Sequence, residues 1–241
     1  MLNLFLEPIL HILILIPFIL LLLKEKLALN FQRIFAFSIC YIVYEIALVL
    51  PKISPIFEFI KSSWNWEGKL FGIVWAIIAY FLFRNLFREN DFFTFRQNKK
   101  GFKSAIIGAI SIVILSITIW FILGKSTFDY ETLFFQISLP GIDEEMIFRG
   151  ILFGLLLSSL KETIPVIGNP ATLIISILFG LTHALTLDKS YSINFEPIYF
   201  MQTAFAGYVW AWITLKSRSI LLSMISHNLS NFFGILVTMI K

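Results

Sequence analysis

Residues 143–150 read DEEMIFRG, three acids and an arginine between apolar runs. Glu145 and Arg149 are spaced i, i+4, so on a helix they share a face and can pair, which neutralises both. Glu144 points about 100° away on the same helix and cannot use that arginine equally well. A carboxyl left over in a low-dielectric setting suits a general base. The competing reading is an ion network that only stabilises a helix bundle. Two of the three histidines lie in apolar segments with a companion at helical spacing. Phe179 precedes His183 by four residues, where an aromatic ring can wall off a site behind the imidazole, and Asn231 follows His227 by four. A lone buried histidine is more often a satisfied core residue than a catalyst. Together, however, Glu144, His183, His227 and Asn231 offer a base, a second group to orient water and hydrogen-bond donors for an oxyanion. Those are the parts that hydrolysis of an amide requires.

The elements that must position these residues are membrane spans. Of the 241 residues, 58% are hydrophobic and 14% charged, whereas soluble domains run at about 45–50% apolar and about 25% charged. A chain of this size cannot bury that excess in one water-soluble core. With about 20 apolar residues needed per crossing, the chain reads as an all-α, polytopic transmembrane helix bundle of about eight spans. They cover roughly residues 4–23, 34–50, 69–83, 104–123, 140–160, 169–187, 197–215 and 219–240. Pro51 and Pro55 close the second, Trp64 and Trp66 read as interfacial before the third, and Asn169 with Pro170 opens the sixth as cap and first-turn proline. Asp143 is expected at the N-terminal end of the fifth, where a negative charge suits the helix dipole.

Basic residues in such a chain report topology before partners, and nothing points to nucleic acid. With the N-terminus outside, Lys24, Lys26, Arg33, Arg84, Arg88, Arg96, Lys99, Lys100, Lys103, Lys161, Lys216 and Arg218 all fall inside. Only Lys52, Lys61, Lys69, Lys125, Lys189 and Lys241 fall outside. That asymmetry makes the 84–103 loop cytoplasmic. The single cysteine, Cys40, excludes a disulfide framework. No signal peptide is read at the N-terminus, which has no basic region and no small-residue cleavage site. Glu7 and His11 read as an i, i+4 pair near the membrane surface, Glu45 as a partner for a tyrosine or another helix, and all three stay unassigned. Thr203, Gly207 and Ala211 form a small-residue stripe that lets the seventh span pack closely.

The same residues resemble a known family. EEMIFRG fits EExxxR, FGLTH fits FxxxH, and HNLSN fits HxxxN, in order and at membrane depth. This is similar to the CPBP (ABI) family of glutamic intramembrane proteases, which includes the type II CAAX prenyl endopeptidases. The resemblance covers roughly residues 133–240 and implies a metal-independent endopeptidase acting on a membrane-associated peptide or protein. It implies Glu144 as catalytic base, His183 as the residue that holds and activates water, and His227 with Asn231 as oxyanion donors. Glu145 and Arg149 become the ordering pair. One departure is a single glycine, Gly207, with Ala211 where relatives often show a second. The domain division is residues 1–130, spans without an assigned role, and 131–241, the catalytic bundle, in one integrated membrane domain. The resemblance implies no cofactor. Zinc is a competing reading for any Glu/His cluster, against which stand the lack of HExxH and the placement of His183 and His227 in different spans. The alternative function is a non-catalytic scaffold, a peptide-toxin immunity factor or a small transporter. Hydrolysis requires that Glu144, His183 and His227 come within about 5 Å of one another.

Overall fold

The computed structural model describes residues 2–25, 27–166 and 168–241; Lys26, one of the inner basic residues, lies outside them. Helices dominate: α1 (Leu2–Leu21), α2 (Ala28–Ile53), α3 (Trp66–Phe83), α4 (Lys99–Leu123), α5 (Tyr130–Glu145), α6 (Phe153–Ser159), α7 (Pro170–Ala184), α8 (Pro197–Ser217) and α9 (Leu221–Ile240). A π-helical segment, Met146–Leu152, joins α5 to α6 without a break. The described residues thus form eight rods. Five helices are long and apolar enough to cross a bilayer by length and composition: α1, α2, α4, α9 and α3 with its short continuation to Leu86. With its apolar composition, this is an integral membrane protein.

Helix starts follow local chemistry. Asn65 accepts from the Gly68 amide, Asn98 from Lys100, Asp129 from Glu131 and Thr132, and Asn169 from Thr172, each satisfying an amide that a helix leaves unpaired at its first turn. Pro170 and Pro197 occupy first helical positions. Two expectations fail here. The fifth rod begins at Tyr130, ten residues before Pro140, because Asp129 caps it and the proline is carried inside. The second helix runs through Pro51 to Ile53 rather than stopping at the proline. Asp143 is consequently near the C-terminal end of α5 and buried, with no dipole role at a helix start.

α7 lies against α8, α9 packs on both α4 and α5, and α3 packs on α2 and α5. α3 turns a buried stripe of small residues, Gly68, Gly72, Ala76 and Ala79, to its neighbours. At Gly72 an added methyl would collide with Asp143 Oδ1, so glycine sets how closely α3 meets α5. Phe148, the aromatic of IFRG, is the hub of the core. It meets Tyr41, Tyr44 and Phe179 edge-on, with ring centroids 6.2, 5.9 and 5.1 Å away.

Between α7 and α8 the chain makes a two-stranded antiparallel hairpin, β1 (Leu185–Leu187) and β2 (Ile193–Phe195), which the apolar pattern did not announce. One face of α1 serves the free edge of β1. Asn3 Nδ2 donates to Leu187 O, Glu7 Oε2 accepts from Leu187 N, and His11 Nε2 is 2.9 Å from Leu185 O. The Glu7–His11 pair read from the sequence is therefore directed at the hairpin rather than at itself. The basic residues gather at the opposite end. There Arg33 donates to Leu86 O and Ser158 O, the Asn98 amide to Ser217 O, and Arg218 to Glu89 O.

Candidate active site

The carboxylates of DEEMIFRG leave α5 and the π segment in three directions. Glu145 turns to Arg149 at 3.1 Å, both side chains fully buried. The guanidinium also donates to Gly207 O at 3.0 Å and lies 4.5 Å over the Phe179 ring. Gly207 is thus more than a packing residue: its carbonyl helps hold the arginine. A methyl added there would press on Phe179 at 3.1 Å and on Arg149 at 3.3 Å. Ala211, one turn on, is fully buried.

Glu144 turns the other way. Its Oε2 is 3.9 Å from His183 Nε2 and 3.8 Å from His227 Nε2, and hydrogen-bonds to no described atom. Its Oε1 takes the Lys69 ammonium at 2.6 Å. Glu144 is therefore not without a counter-charge: the cation is a lysine from the first turn of α3 that the sequence reading had set among the outer basic residues. Lys69 also reaches Asp143 Oδ2 at 2.9 Å, and the Tyr44 hydroxyl donates to that oxygen at 2.7 Å. Three carboxylates thus face two cations in a buried cluster.

The imidazole environments fix their hydrogens. His183 Nδ1 is 2.8 Å from Phe179 O, and His227 Nδ1 is 2.9 Å from Glu145 Oε1. A carbonyl and an arginine-paired carboxylate can only accept, so both Nδ1 atoms carry the proton. Each Nε2 is then an acceptor when the ring is neutral and a donor when it is charged, and each faces Glu144 Oε2. Phe179 lies beside His183 with ring centroids 4.5 Å apart, and Trp210 stacks on His227 at 3.8 Å and 12°. The His183 side chain is 24% exposed against 4% for His227, so the cluster is more accessible on the α7 side.

The structure therefore brings together Glu144, Glu145, Arg149, Phe179, His183, Gly207 and His227. Asn231 is on α9 one turn beyond His227, half-buried, and its side chain hydrogen-bonds to no described residue. Four contributors went unread. Tyr44 and Lys69 come from α2 and α3, and no spacing within one helix signals them. Trp210, three residues after Gly207, had its own signal, an aromatic one turn along the small-residue stripe. Asn228 is the fourth. Its Oδ1 accepts from Gly141 N at 2.7 Å and its Nδ2 donates to Ser138 O at 2.9 Å, clasping α5 across Pro140, four residues before Glu144. Prolines inside spans are tolerated where a neighbour re-satisfies the backbone. Asn228→Leu is expected to destabilise by about 1–3 kcal/mol, the cost of orphaning buried polar groups. Thermal unfolding in nanodiscs checks this, and an unchanged midpoint would contradict it. Among the described residues, no group of three or more His, Cys, Asp or Glu side chains is placed to hold a metal ion.

Residues 126–233 match the family model described as Rce1-like, type II CAAX prenyl endopeptidase. The chain carries an Rce1-like domain. The match spans α5 to most of α9, so every Glu, His and Asn assigned a role by the motifs lies in the Rce1-like domain, whereas Tyr44 and Lys69 lie outside it. No match to a curated protein or to a solved structure was found. The Rce1-like domain supports CAAX-type intramembrane endopeptidase activity on a membrane-associated protein.

Proposed function

We propose that this protein is a glutamate-dependent intramembrane endopeptidase that hydrolyses a peptide bond of a membrane-associated substrate without a metal. The observation that carries the reading is Glu144 Oε2, buried, without a hydrogen bond to any described atom, and 3.8–3.9 Å from two imidazole Nε2 atoms. Glu144 takes a proton from a water held also by neutral His183 Nε2, and the water oxygen attacks the scissile carbonyl carbon. The negative charge passes to the carbonyl oxygen, where donors stabilise it. Asn231 Nδ2 supplies one. His227 supplies another only as the imidazolium, because its Nδ1 proton is committed to Glu145. Collapse of the tetrahedral intermediate breaks the C–N bond, and the proton on Glu144 passes to the leaving amine. The Arg149–Glu145 pair, tied to Gly207 O and His227, holds α5, α8 and α9 in register around the site. The basic end faces the cytoplasm and the N-terminus lies outside, in line with the excess of Lys and Arg at that end.

The test uses full-length protein in nanodiscs with two quenched fluorescent peptides, one ending in a farnesylated cysteine plus three residues and one identical but unprenylated. Cleavage by the native protein, lost in Glu144→Gln, is expected. Cleavage that persists in Glu144→Gln removes Glu144 as the base, and the ratio between the two peptides reads whether the isoprenoid is recognised.

A further inference from the structure

We propose that Lys69 is a positioning residue for Glu144, supplied by a helix outside the Rce1-like domain. The inference rests on the hydrolytic reading above and adds a residue to it. A carboxylate's terminal torsion is broad, so burial alone does not fix the plane in which the Glu144 carboxylate lies or hold one of its oxygens against the imidazoles. Lys69 Nζ takes Oε1 at 2.6 Å, which leaves Oε2 turned to His183 and His227. Among the described residues it is the only ammonium or guanidinium within 4 Å of Glu144, since Arg149 is engaged with Glu145.

The lysine is itself held. Its ammonium bridges to Asp143 Oδ2 at 2.9 Å, the same oxygen receives the Tyr44 hydroxyl, and its side chain is only 13% exposed. Gly72, one turn along α3, leaves the space that Asp143 occupies. A lysine inside a span is costly unless paired, and here both of its ionic partners are adjacent residues of the motif. Tyr44, Asp143 and Gly72 thus act as a bracket on the ammonium, and the ammonium acts on Glu144. Lys69 touches no reacting atom, so it works through the glutamate. The first spans are in this way part of the catalytic unit.

The experiment compares Lys69→Met, Lys69→Arg, Asp143→Asn and the double variant Lys69→Met/Asp143→Asn. Each is prepared as full-length protein in nanodiscs and assayed with the farnesylated reporter, alongside thermal unfolding. A positioning role predicts that Lys69→Met lowers kcat about 10²-fold, the scale of a small misplacement of a reacting group, with little change in KM. Lys69→Arg, which keeps the cation, is expected to recover a large part of that loss. The double variant is decisive. It removes one of the two carboxylates that Lys69→Met leaves without their cation and restores the net charge of the native cluster, so it is expected to stay folded where the single variant does not. If Lys69 positions Glu144, the double variant remains as slow as Lys69→Met. Recovery to the Asp143→Asn rate would show that Lys69 only neutralises Asp143, and native kcat in Lys69→Met would overturn the proposal outright. Both results leave Glu144 as the base, whereas an active Glu144→Gln removes Glu144 as the base and with it the reading on which this inference rests.

Discussion

Glutamine at position 144 is expected to lower kcat/KM by about 10²–10⁴-fold, the range spanned by general acid–base catalysis, with the bundle intact. The amide keeps the volume of the carboxylate, and its oxygen still accepts from Lys69. Lys69 in turn keeps Asp143 as a counter-charge at 2.9 Å. No buried charge is orphaned, so the thermal midpoint should move little. What the amide cannot do is take a proton from water at the atom that faces His183 and His227. The KM should also stay near the native value, because Glu144 acts on water rather than on the substrate's binding contacts. Rates on the reporter peptides, measured beside the unfolding midpoint, check both halves. A folded variant that cleaves at the native rate would move the base elsewhere.

The largest effect on stability is expected at Arg149. Its guanidinium is fully buried, pairs with Glu145 at 3.1 Å, donates to Gly207 O and covers Phe179. Arg149→Met leaves Glu145 as an uncompensated buried charge and one carbonyl unpaired, so a loss of about 3–5 kcal/mol follows. Replacing both ionic partners by apolar groups is often neutral or stabilising, so Arg149→Met/Glu145→Leu should regain most of that loss. It should not regain activity, because His227 Nδ1 then loses the carboxylate that holds it 2.9 Å away. Unfolding midpoints and reporter rates are thus expected to part company in the double variant. A double variant as unstable as the single one would contradict this account of the pair.

What could be read from the sequence was whatever one helix determines. Eight apolar rods, the Asn169–Pro170 start and the Glu145–Arg149 pair follow from hydropathy, capping and i, i+4 spacing, and all are present. Glu144, His183 and His227 were each picked out by being polar at depth, and they stand within 4 Å through Oε2. The contributions of other helices could not be read. Lys69 looked like one more outer basic residue because nothing in α3 says that α5 lies against it. The start of α5 was misplaced for a related reason. Pro140 suggests a helix start, and only the Asn228 clasp from α9 reveals why the helix runs through it. The hairpin of residues 185–195 is too short and too mixed in polarity to register against apolar runs of membrane length.

The face of α1 that serves the β1 edge has a consequence in time. Asn3 Nδ2, Glu7 Oε2 and His11 Nε2 each meet a backbone group 174 to 184 residues further along the chain, whereas His11 Nδ1 meets the Tyr41 hydroxyl on α2. At about 5–20 residues per second, synthesis leaves those contacts with the hairpin unmade for roughly 10–40 s. During that interval α1, a segment of mean hydropathy 2.5, is held by its apolar side chains and by its contacts with α2, the His11–Tyr41 hydrogen bond among them. Among these helices α1 is made before the others yet is among the last to be finished. A nascent chain halted before residue 185 should leave α1 more accessible to water-borne labels than it is in the complete protein.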